Sequence, residues 1–296
     1  MFTGSLVAMA TPFNAEDRVD FAAVERLVEF HVREGSSGLV VAGTTGESAT
    51  LKKGEHAALI RHTVDVSAGR LPVIAGTGSN STSQTIDLSL EVADCGIDAY
   101  LMVVPYYNKP VQEGMYQHFR TIADRVDKPI MLYNVPGRTV ADMLPETVAR
   151  LAEHPRIFGI KEATGDLQRL HDIRNRVPDD FMLYSGDDFT TRDFIEQGGH
   201  GVVTVSGNVA PGLMAGLCAA AAAGRKDEAL SIDEKLQPLN TALFLESNPI
   251  PVKWALAQMG LIGPHIRLPL TPFNQRYHEQ MTSAMITAGI GRKDTR

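Results

Sequence analysis

The feature that most restricts the fold of this 296-residue chain is an eightfold recurrence. Apolar, strand-like runs at Ser5–Pro12, Gly38–Gly43, Pro72–Gly76, Ala99–Pro105, Pro129–Val135, Ile157–Lys161, Phe181–Ser185 and Gly201–Val205 are each followed by a segment of helical period. They recur about every 30 residues, the length of a strand plus a crossover helix. The runs are continuously apolar rather than alternating, as expected of parallel strands covered on both faces. Eight such units predict an α/β fold, a (β/α)8 TIM barrel.

The intervening segments agree. Asp20–Glu34 gathers Phe21, Val24, Leu27, Val28 and Val32 on one face, with Gly35 as the stop. Ser81-Thr82-Ser83-Gln84 reads as a capping box, and Pro145 suits the first turn of a helix. After the eighth unit only helical segments follow, at Lys226–Leu245, Pro251–Met259 and Pro272–Ile290. The expected organisation is therefore a barrel over residues 1–224 and a C-terminal helical appendage over 225–296, without internal repeats or a flexible linker.

Charge and composition narrow the function. A net charge of −7 with no basic run argues against nucleic acid or an anionic membrane as partner. Cys95 and Cys218 form no disulfide framework or zinc-type spacing. The first residues lack the positive start of a signal sequence, and the run Leu213–Ala223 is too short to span a bilayer. A cytoplasmic location is expected.

Barrel active sites lie at the C-terminal ends of the strands, so the residues closing each run are the ones to read. They include Thr44-Thr45-Gly46-Glu47-Ser48, Tyr106-Tyr107-Asn108, Tyr133-Asn134, Arg138, Lys161, Ser185-Gly186-Asp187-Asp188 and Ser206-Gly207-Asn208. Lys161 finishes an apolar run, where a charge needs a partner, a purpose or a route to solvent. Strand parity places it with Ile157 and Gly159 on the barrel side, leaving Phe158 and Ile160 for the helices. Tyr133 closes the adjacent run, so a phenol and an amine are expected side by side. That pair suits Schiff-base chemistry: an unprotonated amine attacks a keto carbon, and burial favours the unprotonated form. Tyr133 could shuttle protons, Thr44 could relay them, and Thr45 suits a small carboxylate.

Other chemistries fit less well. The nine histidines show no HxH or HxxxH cluster for a metal-dependent aldolase. Gly76–Ser81 faintly resembles a dinucleotide loop but lacks its third glycine, and no acidic residue ends the following strand, so the backbone freedom of a barrel loop explains its glycines better. Asp187-Asp188 would repel a phosphate; helix capping suits these two aspartates better than paired acid and base.

Taken in order, Gly43-Thr44-Thr45-Gly46-Glu47-Ser48, Ile74-Ala75-Gly76-Thr77-Gly78, Pro105-Tyr106-Tyr107-Asn108-Lys109-Pro110, Tyr133–Thr139, Gly159-Ile160-Lys161-Glu162-Ala163 and Asn248–Lys253 resemble the signatures of the dihydrodipicolinate synthase family, within the pyruvate-dependent class I aldolases of the N-acetylneuraminate lyase superfamily. The resemblance runs through nearly the whole chain. It implies that Lys161 forms a Schiff base with pyruvate, and that Tyr133, Thr44 and Tyr107 match a proton-relay triad with Tyr107 supplied across a subunit interface. It matches Thr45, Gly186 and the carbonyl of Val203 to the pyruvate pocket, and Arg138 to the carboxylate of aspartate semialdehyde. The implied reaction gives 4-hydroxy-tetrahydrodipicolinate in lysine biosynthesis, with neither metal nor separate cofactor and in a homotetramer built from two dimers. A related sugar-acid aldolase is the alternative; Arg138 argues against it, because a guanidinium clasps a carboxylate bidentately.

Members of this family often bind lysine at positions matching Ser48, Ala49, His56, Asn80 and Tyr106. Here Lys53 and Gln84 depart from the pattern of lysine-sensitive members, which often carry histidine and glutamate there. One carboxylate fewer and one ammonium more weaken attraction for a cationic effector, so weak or absent inhibition is expected.

Overall fold

A computed structural model describes residues 2–291. Its eight strands are β1 (Gly4–Ala8), β2 (Gly38–Val41), β3 (Val73–Gly76), β4 (Ala99–Val103), β5 (Ile130–Asn134), β6 (Ile157–Glu162), β7 (Met182–Ser185) and β8 (Gly201–Thr204). Each pairs in parallel with the next, and β8 closes on β1, giving a closed TIM barrel. The helices between them are α1 (Phe21–Arg33), α2 (Lys53–Ser67), α3 (Thr82–Val92), α4 (Gln112–Ala123), a short α5 (Pro136–Thr139), α6 (Pro145–Ala152), α7 (Leu167–Arg174) and α8 (Thr191–Glu196). After β8 come α9 (Pro211–Ala222), α10 (Lys226–Ala242), α11 (Ile250–Gln258) and α12 (His278–Thr287). Among the described residues no strand follows β8, only an isolated bridge between Phe13 and His265. None of the described helices is long and apolar enough to cross a membrane.

Two cores follow from strand alternation. Val7, Leu39, Leu132, Ile160 and Val202 face the helices, whereas Leu6, Val40, Ile74, Met131 and Tyr184 fill the barrel interior. Strand β6 breaks the expected parity. Ile130 pairs with Ile157 but Met131 pairs with Gly159, so β6 carries one extra residue there. This bulge turns Ile157 toward the helices and Phe158 into the barrel, opposite to the expectation for both. Past the bulge the alternation resumes, and Lys161 still points inward. Phe158 packs edge-on against Phe2 and Tyr184, whose hydroxyl donates to the Phe2 carbonyl at 2.6 Å. These rings plug the end of the barrel remote from Lys161.

Helix starts follow local chemistry. Asp20 accepts from the Ala23 amide at 3.0 Å to open α1, and Gly35 ends the segment at φ +79°. Ser81 caps α3 through the Gln84 amide, but the return half of the expected capping box is absent: the Ser81 amide donates to Ser79 Oγ, and Gln84 Oε1 accepts from that same hydroxyl. Competition from Ser79 draws the glutamine side chain away. The helices after β8 lean on the barrel, α10 against α9 and α12, and the Ser247–Pro249 turn before α11 reaches the mouth.

Candidate active site

Lys161 and Tyr133 are register partners on β6 and β5. Each is only 6% exposed, and Lys161 Nζ stands 4.0 Å from the centre of the Tyr133 ring. The phenol and the amine are thus brought together as expected, with the lysine nitrogen over the ring face. Gly186, just past β7, leaves the lysine its space: a Cβ there would lie 2.9 Å from Lys161 Cε and 2.6 Å from Ala163 Cβ. Val203 is buried on β8 in the barrel interior.

On the other side of the mouth, Thr44 and Thr45 occupy the turn after β2. Thr45 is buried, and its Oγ1 accepts from Asn248 Nδ2 at 2.9 Å. The turn is tight: Glu47 adopts φ +53°, and its carboxylate is buried in an ion pair with Lys253 of α11. Burial lowers the Lys253 pKa while Glu47 opposes that shift. Arg138 stands exposed on α5, and its Nη2 donates to the Asn248 carbonyl at 3.2 Å. Thr44, Arg138 and Asn248 line one cavity of about 800 Å³. Lys161 and Tyr133 lie deeper along their strands and are not among its lining.

The same cavity extends past Ser48, Ala49, His56, Gln84 and Tyr106, so five of the six expected effector positions share one space with the mouth; Asn80 does not line it. Asp87 and Lys53 line it as well. His56 Nε2 bonds to the Gly76 carbonyl at 2.8 Å, and burial lowers its pKa, favouring neutral imidazole. Asn80 is tied to the β4 loop, donating to the Tyr106 carbonyl at 3.1 Å and accepting from Asn108 Nδ2 at 2.9 Å. Lys53 Nζ is 3.3 Å from Glu91. Tyr107 is not gathered with the others. It is 89% exposed, at φ +73°.

The two aspartates after β7 are structural, in different ways. Asp187 Oδ2 accepts from the Thr190 amide and hydroxyl, capping the turn that opens α8. Asp188 is no helix cap; its Oδ2 accepts from the Val205 and Ser206 amides, both at 2.9 Å, and clamps the end of β8. The glycines of Gly76–Ser81 serve close packing rather than the expected backbone freedom: neither has a positive φ, and a Cβ on Gly76 would meet the Ala42 carbonyl oxygen at 2.5 Å. No cluster of three or more His, Cys, Asp or Glu side chains is arranged to hold a metal ion among the described residues.

Two groups escaped the sequence reading. Asn248 belongs to a quoted motif but carried no role there. At the end of β5, Asn134 Nδ2 donates to both Glu162 and Asp142, and Asp142 accepts from Arg169 at 2.6 Å. Burial pushes the Glu162 carboxyl up against these bonds. The available signal for the second was a polar residue set among apolar neighbours, Asn134 between Tyr133 and Val135.

Known proteins resemble this chain over its full length. The family model described as the Dihydrodipicolinate synthetase family matches residues 1–288. The 4-hydroxy-tetrahydrodipicolinate synthases of Ectopseudomonas mendocina (strain ymp) and Pseudomonas aeruginosa are each 55% identical over 290 residues, covering 98% of this chain and 99% of theirs. The chloride-inhibited dihydrodipicolinate synthase from Acinetobacter baumannii, solved in complex with pyruvate, superposes with a TM-score of 0.96 at 46% identity, covering 98% of this chain and 100% of that one.

Proposed function

The chain belongs to the dihydrodipicolinate synthetase family, and on that premise we propose how its residues share the condensation of pyruvate with L-aspartate 4-semialdehyde. The reaction gives 4-hydroxy-tetrahydrodipicolinate, a lyase-type step of lysine and diaminopimelate biosynthesis. Lys161 attacks the keto carbon of pyruvate, and water leaves as the imine forms. Loss of a methyl proton gives the enamine, whose carbon attacks the aldehyde. The amine of the second substrate then displaces Lys161 and closes the ring, so one water is lost overall. Tyr133 carries the protons, relayed by Thr44 and by Tyr107. Thr45, Gly186 and the Val203 carbonyl hold pyruvate, and Arg138 clasps the second substrate's carboxylate. The observation that carries this reading is the buried Lys161 Nζ against Tyr133, at 4.0 Å from the ring centre. No separate cofactor enters; the covalent group is the lysine itself.

Residues 1–224 act as the catalytic barrel and residues 225–296 as the helical extension; position 1 and positions 292–296 lie outside the described residues. The exposure of Tyr107 suits a residue lent to a neighbouring copy, in a homotetramer of two dimers, working in the cytoplasm.

Kinetics with a panel of aldehydes test the assignment. Wild type should prefer aspartate semialdehyde to hydroxylated sugar aldehydes. Arg138→Ala should lose at least about 10-fold in use of aspartate semialdehyde while still forming the pyruvate adduct; equal loss of both would remove Arg138 from this role.

A further inference from the structure

Seven buried side-chain polar atoms lack a hydrogen-bond partner among the described residues, and Asn248 Oδ1 alone belongs to a residue lining the mouth cavity. Such an atom in a folded interior needs a reason, since leaving it unpaired costs about 1–3 kcal/mol. Asn248 is only 6% exposed, and its side-chain nitrogen and its carbonyl oxygen both have partners. Its Nδ2 donates to Thr45 Oγ1, which leaves the Thr45 hydroxyl hydrogen for the carboxylate of pyruvate. Its carbonyl accepts from Arg138 Nη2 at 3.2 Å, which sets residue 248 beside the guanidinium. The amide is thereby oriented by one substrate's pocket and placed at the other's, with a single acceptor left over.

The second substrate carries an α-ammonium on the same carbon as the carboxylate that Arg138 clasps. A bound carboxylate therefore fixes the ammonium one bond further on, and an ammonium has three donors and no use for another donor. We propose that Asn248 Oδ1 accepts a hydrogen bond from the α-ammonium of the second substrate, completing with Arg138 an amino-acid clasp that selects an α-amino aldehyde over its deamino analogue. This rests on the assignment of Lys161 and Arg138 above and adds to it a specificity-determining residue. A site built to bond an N–H rejects a ligand lacking it, because its buried acceptor is left unpaired. Holding the ammonium also positions the amine that must later displace Lys161.

The test compares aspartate semialdehyde with succinate semialdehyde, which lacks the amino group, on the full-length pyruvate-loaded enzyme. The readouts are the KM of the first and the inhibition constant of the second against it. Wild type should favour aspartate semialdehyde by about 10- to 100-fold. Asn248→Ala should raise its KM by a similar factor and move the succinate semialdehyde constant by less than about twofold. Asn248→Asp, which keeps the oxygen, should retain the discrimination. Equal weakening of both aldehydes in Asn248→Ala would overturn the proposal in favour of a purely structural role. So would equal binding of both by wild type, a result that stands even if the alanine variant does not fold. Borohydride trapping of pyruvate on Lys161 is run alongside: if that fails in wild type, the parent assignment has failed rather than the Asn248 clasp.

Discussion

Removing the cation from the Lys253–Glu47 pair should be among the most damaging single changes outside the chemistry. The two side chains are 3% and 1% exposed. With Lys253 gone, the Glu47 carboxylate keeps only the Arg267 amide, at 3.2 Å. Lys253 Nζ also lies 4.2 Å from the centre of the Phe13 ring, whose neighbourhood it shares with the Arg267 guanidinium at 4.0 Å. Stripping one partner from a buried pair leaves an uncompensated charge and costs about 3–5 kcal/mol. At about 2 °C per kcal/mol for a chain of this size, Lys253→Met should lower Tm by about 6–10 °C. Glu47→Gln in the same chain removes the stranded charge, so the double variant should recover at least about 2 kcal/mol. Thermal unfolding of wild type, both singles and the double completes the cycle. Because Glu47 stands two residues after Thr45, the lysine variant should raise the KM for pyruvate as well. A single-variant loss below about 1 kcal/mol, the cost of an exposed pair, or no recovery in the double, would refute the reasoning.

Three further outcomes are expected. Gly186→Ala should reduce formation of the pyruvate adduct about 10-fold or more, because its Cβ overlaps Lys161 Cε and Ala163 at an overpacking cost of about 1–3 kcal/mol; Gly54→Ala, with open space around it, should be neutral, and equal effects would sink the steric account. His118 is held near a pKa of about 4 by burial, so the folded state binds its proton less readily than the unfolded chain does. Its contribution is complete above about pH 6.5 and is lost as the pH falls toward 4, at about 1.4 kcal/mol per pH unit. Buried Glu162 and Asp188, with pKa values raised, act in the opposite sense. The difference in stability between wild type and His118→Gln isolates the histidine, and a flat difference across that window would exclude it. Finally, lysine should inhibit weakly or not at all, because Lys53 and Gln84 line the effector end of the cavity; submicromolar inhibition in a titration would contradict this.

The barrel was legible in the sequence because the eightfold run of apolar strands encodes burial on both faces directly. Its mouth residues were legible for the same reason: strand ends are polar interruptions of an apolar pattern. Parity failed only at Ile157 and Phe158, where a bulge inserts one residue, since neither residue type signals a change of register. Asn248 and Lys253 could not be assigned their partners, because Thr45 and Glu47 lie 203 and 206 residues away and the contact exists only once the helical extension folds over the barrel. The joining of mouth and effector positions into one cavity is likewise a property of packing rather than of any motif.

The most direct test of the account is reduction of the protein with borohydride in the presence of pyruvate, followed by peptide mapping. Covalent label on the peptide carrying Lys161, absent without pyruvate and absent from Lys161→Ala, is the predicted result. An unmodified Lys161, or label on Lys253 instead, would contradict it.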